Sequence, residues 1–127
     1  MCGIIGVSSN KSVSATIINS LKKLEYRGYD SAGIATLSNG IINEVKSEGR
    51  VDNLEKNFDL KNLLGNIGIG HVRWATHGIP NSINAHPHSS DNVSVVHNGI
   101  IENSTILKKH LVSKGHVFKS QTDTEVI

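Results

Sequence analysis

The residue with most to offer chemically stands second in the chain. Cys2 follows Met1 directly and is the only cysteine. A side chain this small permits removal of the initiator Met, after which Cys2 would carry both a thiol and a free α-amine. That amine has a reference pKa of roughly 7.7–8.0, against about 10.4 for Lys, so much of it is unprotonated base near neutral pH. Nucleophile and general base then belong to one residue, as in enzymes that use an N-terminal Thr and its amine. A lone Cys is more often a small, inert core residue; the position next to Met1 is what changes the weighing.

Acyl transfer also needs donors for an oxyanion. His97-Asn98-Gly99 follows the apolar run Val93–Val96. An Asn amide beside a Gly backbone N–H suits that purpose, although the same pair reads as an ordinary strand-end turn, and on these residues alone the turn is favoured. In the segment His71–Gly78, Arg73 could hold a carboxylate with two parallel bonds, and Trp74, the sole Trp, could act as a lid. A solvated Arg and a Trp core plug are the plainer readings. Asp123 could answer a substrate ammonium or simply cap a helix. His71, His77, His86, His88 and His97 fall within 27 residues, which makes a metal hydrolase the rival enzyme. His86-Pro87-His88 is the only close pair, Asp91 the only nearby carboxylate, and no HExxH pattern is present. These histidines read better as hydrogen-bonding groups of a loop. The segment Tyr26–Gly33 reads only as a dense, structured turn.

The elements that must position these residues follow from periodicity. Residues 3–8 predict a short buried strand. Val13, Ile17, Ile18, Leu21 and Leu24 mark one face of a helix over 12–25. Runs at 32–37 and 41–46 flank Ser38-Asn39-Gly40, a strong hairpin signal. A helix is expected over 51–64, with Leu54, Phe58, Leu63 and Leu64 inward and Gly65 as its stop. A strand follows at 67–74, then a long loop at 75–92, a strand at 93–96, a helix at 104–114 capped by Asn103 or Ser104, and a short strand at 116–119. Thr122 and Glu125 have capping-box spacing, with Asp123 at the positive end of the helix they announce. That helix would lie beyond Ile127, so the chain reads as the front part of a longer protein.

Composition narrows the choice. A chain of 127 residues with 37% hydrophobic residues makes one domain at most. One Cys excludes an internal disulfide and a Cys-based zinc site. A net charge of +2 and five aromatic residues (one Trp, two Tyr, two Phe) argue against nucleic acid and anionic lipid as partners. No apolar run is long enough to span a membrane, no basic stretch precedes Cys2, and a cytoplasmic location is expected.

Taken together, these segments resemble the class II glutamine amidotransferases, whose glutaminase domains are N-terminal-nucleophile hydrolases. Met1-Cys2-Gly3-Ile4-Ile5-Gly6 looks like the shared start of the family. Leu24–Gly33, Arg73–Gly78, Asn84–His88, His97–Asn103 and Thr122–Ile127 narrow the match to the glutamine–fructose-6-phosphate aminotransferases (glucosamine-6-phosphate synthases). The match runs nearly end to end and is weakest at 36–66. The resemblance implies an α+β fold, an αββα sandwich that would be incomplete at the C-terminus here. Residues 1–127 would be the first half of a glutaminase domain, and the rest of it and two sugar-isomerase domains would follow. It implies that Cys2 attacks the side-chain amide of L-glutamine, that Asn98 and Gly99 form the oxyanion hole, and that Arg73 and Asp123 bind the substrate's carboxylate and ammonium. Thr76 and His77 would help, Trp74 would belong to a closing loop, and Arg27 would support the terminal Cys. It implies no cofactor or metal, fructose 6-phosphate as the ammonia acceptor at the domains outside this chain, and a homodimer at full length.

Overall fold

Val13, Ile17, Ile18 and Leu21 recur at helical spacing, and all four are buried. Val13 stands at the N-cap, and the other three form the inner face of α1 (Ser14–Leu24). The computed structural model describes residues 1–127. In chain order the remaining elements are β1 (Gly3–Ser8) before α1, then β2 (Ser31–Ser38), β3 (Ile41–Glu48), α2 (Asp52–Asn57), β4 (Ile67–Arg73), β5 (His88–Ser90), β6 (Val93–Val95) and α3 (Ser104–Ser113). Short 3-10 turns lie at Glu25–Arg27, Leu60–Asn62 and Asp123–Val126.

β1 to β4 form one antiparallel sheet in the order β1-β4-β2-β3. The β2–β3 hairpin turns at Asn39 and Gly40, whose φ values of 51° and 75° are the left-handed pair that the Asn-Gly spacing predicts. α1 packs on one face of this sheet. Its Ile17 and Leu21 join Ala32, Ile34, Val51, Leu54, Leu63 and Val72 in the core. Side chains alternate along a strand, so His71 and Arg73 point to the opposite face. That face is covered by the buried residues Asn84, Ala85 and His86 and by the small β5–β6 sheet. α3 lies beyond, across a groove lined by Val93, Val95, Leu111 and Phe118. The result is an α+β sandwich, helix on sheet and sheet on helix.

Several expectations are corrected. β1 exists, but it is an edge strand and only half covered, with Ile4 exposed. The helix at 51–64 breaks at Phe58, whose backbone is extended, and Phe58 and Leu64 face solvent. Asp59 accepts from the Lys61 N–H and starts a separate 3-10 turn there. The loop at 75–92 contains β5, and the hairpin turn lies at Asp91 and Asn92 rather than at Asn98-Gly99. Residues 116–119 form no strand. The capping box does not form: the Glu125 carboxylate accepts from the N–H groups of Lys119 and Ser120, both at 2.7 Å, and the Thr122 hydroxyl turns to His88. Those N–H groups lie upstream of the turn, so Glu125 ties down the incoming chain.

Leu21 is fully buried between α1 and the sheet. Leu21→Ala should lower stability by about 2–5 kcal/mol, read as a shift of the urea midpoint without a change of slope.

Candidate active site

β1 and β4 pair with Gly3 opposite Val72, so the residue before β1 meets the end of β4. Cys2 therefore lies against Trp74. The Trp74 N–H donates to Cys2 Sγ at 3.2 Å, and Sγ reaches the Trp74 carbonyl at 3.5 Å. Arg27 Nε donates to the Cys2 carbonyl at 2.9 Å, which fixes the backbone behind the thiol. Gly28 makes this closeness possible. A Cβ there would stand 2.6 Å from the Arg73 carbonyl carbon and 2.8 Å from the Trp74 nitrogen. Asp30 completes the clamp: its carboxylate accepts from the Ala75 N–H, and its own N–H donates to the Arg73 carbonyl at 3.2 Å. The edge of Tyr29 meets Trp74, with ring centroids 6.4 Å apart.

Cys2, Arg73, Trp74, Thr76, His77, Gly99 and Asp123 line one narrow cleft, together with His86, His97, Thr122 and Thr124. Its free volume is about 20 Å³, room for about one water. A free amino acid does not fit in this volume. Arg73 is 2% and Asp123 7% exposed. Arg73 donates to the carbonyls of His77 and Ile79, so it braces the loop at 74–79. Burial lowers the Arg73 pKa, and Asp30, Cys2 and Asp123 oppose this. Asp123 Oδ2 accepts from the Ile101 N–H at 2.7 Å. Both terminal nitrogens of Arg73 and one oxygen of Asp123 are thus bonded to the scaffold, and the two groups border the cleft with opposite sign. Arg27 and Asn98 do not line the cleft. Arg27 acts from behind Cys2. Asn98 precedes Gly99 with its Oδ1 turned back to His71 Nε2, 3.0 Å away.

Beneath the cleft lies a layer of histidines. His71 stacks on His86 at 4.3 Å, and His88 meets the edge of His86 at 4.6 Å. His86 Nε2 contacts Thr124 Oγ1 at 2.7 Å, and His97 Nδ1 contacts the same hydroxyl at 3.2 Å. Neither these nor any other His, Cys, Asp or Glu side chains make a group of three that could hold a metal ion. The rings stack instead of converging, and the metal-hydrolase alternative finds no ligand set.

Comparison with known proteins decides the family. The model of the "Glutamine amidotransferase domain" family matches residues 59–127. The chain belongs to that family. It is 60% identical, over 129 aligned residues, to a glutamine–fructose-6-phosphate aminotransferase [isomerizing] of Clostridium acetobutylicum. It is 55% identical over 127 residues to the protein of that name from Mesorhizobium japonicum. All of the chain is covered, but it spans only about a fifth (21%) of the length of these curated relatives. Among solved structures, the glutamine phosphoribosylpyrophosphate amidotransferase of B. subtilis, complexed with ADP and GMP, superposes with a TM-score of 0.84 at 29% identity. It covers 99% of this chain and 28% of its own. The αββα sandwich expected from the resemblance is the fold shared with these amidotransferases.

Sequence reasoning missed part of this amidotransferase site. Gly28 and Asp30 lay in a segment that physics alone read as a dense turn and that otherwise counted only as a family motif, so neither residue was given a role. The buried role of His71 and His86 was missed as well. The period-2 alternation that puts His71 on the same face as Arg73 could have found the former. Burial pushes His71 down to about 4, against the raising effect of bonds to the His97 backbone and the Asn98 side chain. Burial, with the crowding of the neighbouring histidines, likewise pushes His86 to about 2, and burial with Lys46 pushes His88 to about 4. Burial raises the Glu125 pKa, but hydrogen bonds from Ser120 and Lys119 outweigh it, and the net shift is downward.

A folded His pKa below the unfolded value of about 6.5 means that the unfolded chain binds more protons in the window between them. Stability should therefore be full above pH about 6.5 and fall steadily toward pH about 4, with Glu125 adding to the loss at the acid end. Urea titrations at a series of pH values check this. A midpoint that stays flat or rises from pH 6.5 to 4.5 would contradict the neutral histidine layer.

Proposed function

We propose that the chain hydrolyses L-glutamine to glutamate and ammonia through a thioester on Cys2. The observation that carries the reading is the gathering of Cys2, Arg73, Asp123 and Gly99 around one cleft. After Met1 is removed, the free α-amine of Cys2 takes the thiol proton. The thiolate attacks the side-chain amide carbon, and the oxygen becomes an oxyanion held by the Asn98 amide and the Gly99 N–H. The tetrahedral intermediate collapses, the C–N bond breaks, and the amine's proton leaves with ammonia. Water then attacks the thioester, and glutamate and the thiol are restored. Arg73 holds the substrate carboxylate and Asp123 the ammonium, with Thr76 and His77 beside them. Trp74 moves with the loop that admits glutamine, and Arg27 steadies the Cys2 backbone.

In the full-length protein the ammonia passes to fructose 6-phosphate, giving glucosamine 6-phosphate. Identity of 55% and 60% to aminotransferases of that name, against 29% to the phosphoribosylpyrophosphate enzyme, favours this acceptor. Residues 1–127 are then the first half of the glutaminase domain, and the sugar-isomerase domains lie elsewhere in a cytoplasmic homodimer. No helix of the chain is long and apolar enough to cross a membrane.

Steady-state glutaminase assays on the full-length protein test the roles. Cys2→Ala should abolish glutamate release and leave glutamine binding intact. Asn98→Ala should cost about 10²–10³ in kcat, the usual loss for one oxyanion donor; a rise in KM alone would make Asn98 a binding residue. Arg73→Lys should lower kcat/KM, because a point charge cannot replace the guanidinium fork. Equal kcat/KM for Arg73→Lys and wild type would remove the carboxylate clamp.

A further inference from the structure

A side-chain amide can offer an oxyanion either its N–H₂ or its oxygen, and the two differ by a rotation that an exposed loop residue makes freely. Asn98 is exposed. Asn98 adjoins the cleft through Gly99, so something must fix which end of its amide is left free for the reaction. We propose that His71 is the positioning residue that sets the Asn98 amide with its N–H₂ toward the reacting oxygen. This inference rests on the reading of Asn98 as an oxyanion donor.

The geometry supports it at both ends of the contact. His71 Nε2 lies 3.0 Å from Asn98 Oδ1. The oxygen accepts, so Nε2 carries the proton and the amide N–H₂ is left free. His71 itself cannot turn. It is fully buried, lies within β4 between Ile4 and Gly33 of the neighbouring strands, and stacks flat on His86. Its other nitrogen, Nδ1, is buried with no hydrogen-bond partner. Nε2 is then the ring's one hydrogen-bonding position, and in the opposite tautomer its lone pair would face the amide oxygen. The amide would then flip and put its oxygen where negative charge develops. A neutral ring with one proton, locked in place, therefore selects one of the two amide orientations. The loop on either side is held as well. Thr124 bonds the His97 ring, and Asp123 takes the Ile101 N–H, while His71 holds the Asn98 side chain itself.

The test uses the full-length protein with five variants and two readouts: glutaminase kcat and KM, and the rate of Cys2 alkylation by iodoacetamide, a reaction that develops no oxyanion. His71→Met removes the donor at similar volume, and His71→Gln keeps an amide N–H₂ near the Nε2 position. His71→Met should lose about 10- to 100-fold in kcat, below the roughly 10²–10³ of a lost donor. Its KM and alkylation rate should stay within about two-fold of wild type. His71→Gln should recover most of kcat, and His71→Met combined with Asn98→Ala should be no slower than Asn98→Ala alone, because the two act as a unit. If His71→Met fails to fold, His71→Asn, whose amide is too short to reach, should run well below His71→Gln.

Unchanged kcat in His71→Met beside a large loss in Asn98→Ala would overturn the inference while leaving the oxyanion reading intact. So would a parallel loss of alkylation, multiplicative losses in the double variant, or equal rates for the Gln and Asn variants. Full kcat in Asn98→Ala would remove the oxyanion reading itself, and this inference with it.

Discussion

The site depends on the register between an edge strand and its neighbour. β1 pairs with β4 so that Gly3 faces Val72, and this alone brings the second residue of the chain to the Arg73–Trp74 backbone. Side chains alternate with period two, so a slip of one residue would turn every β1 side chain to the wrong face and move the thiol off the Trp74 N–H. An edge strand is held on one side only, and here the register is reinforced from outside the ladder. Arg27 grips the Cys2 carbonyl, and the chain at Gly28 lies so close to Arg73 and Trp74 that no side chain fits between. The segment at 25–30 thus works as a clamp over the strand ends.

The two charged groups of the cleft carry structural duties beside the binding roles proposed for them. Arg73 holds the carbonyls of His77 and Ile79, and Asp123 holds the Ile101 N–H. A substrate carboxylate at Arg73 would compete with loop carbonyls for the same donors. Binding and loop movement would therefore be coupled through one guanidinium, and the narrowness of the cleft has a physical reason: the loop closes it by using the group that substrate would use.

Local signals were legible where local physics decides. Asn39-Gly40 specified its turn, and the helical spacing of Val13, Ile17, Ile18 and Leu21 specified α1. The residues that line the cleft were legible through motifs rather than periodicity. What stayed hidden was set by tertiary contacts. The helix after Val51 stops at Phe58 although its apolar spacing continues, because Asp59 offers the backbone another partner. Glu125 abandons the cap that its spacing promised, because two N–H groups upstream need an acceptor. β5 has three residues and gains its partner only through the hairpin at Asp91 and Asn92. The histidines looked like loop polar groups because composition cannot show stacking. Their burial follows from the face of β4 on which His71 lies and from the segment 84–87 folding over it.

We propose the Cys2 thiol as the nucleophile of this cleft. Intact mass and peptide mapping of active full-length protein, before and after treatment with a glutamine-like diazo-ketone, test it most directly. The mature protein should begin at Cys2 and carry a single adduct, on the Cys2 sulfur, whose appearance matches the loss of glutaminase activity. An adduct on another residue, or Met1 retained on fully active protein, would contradict it.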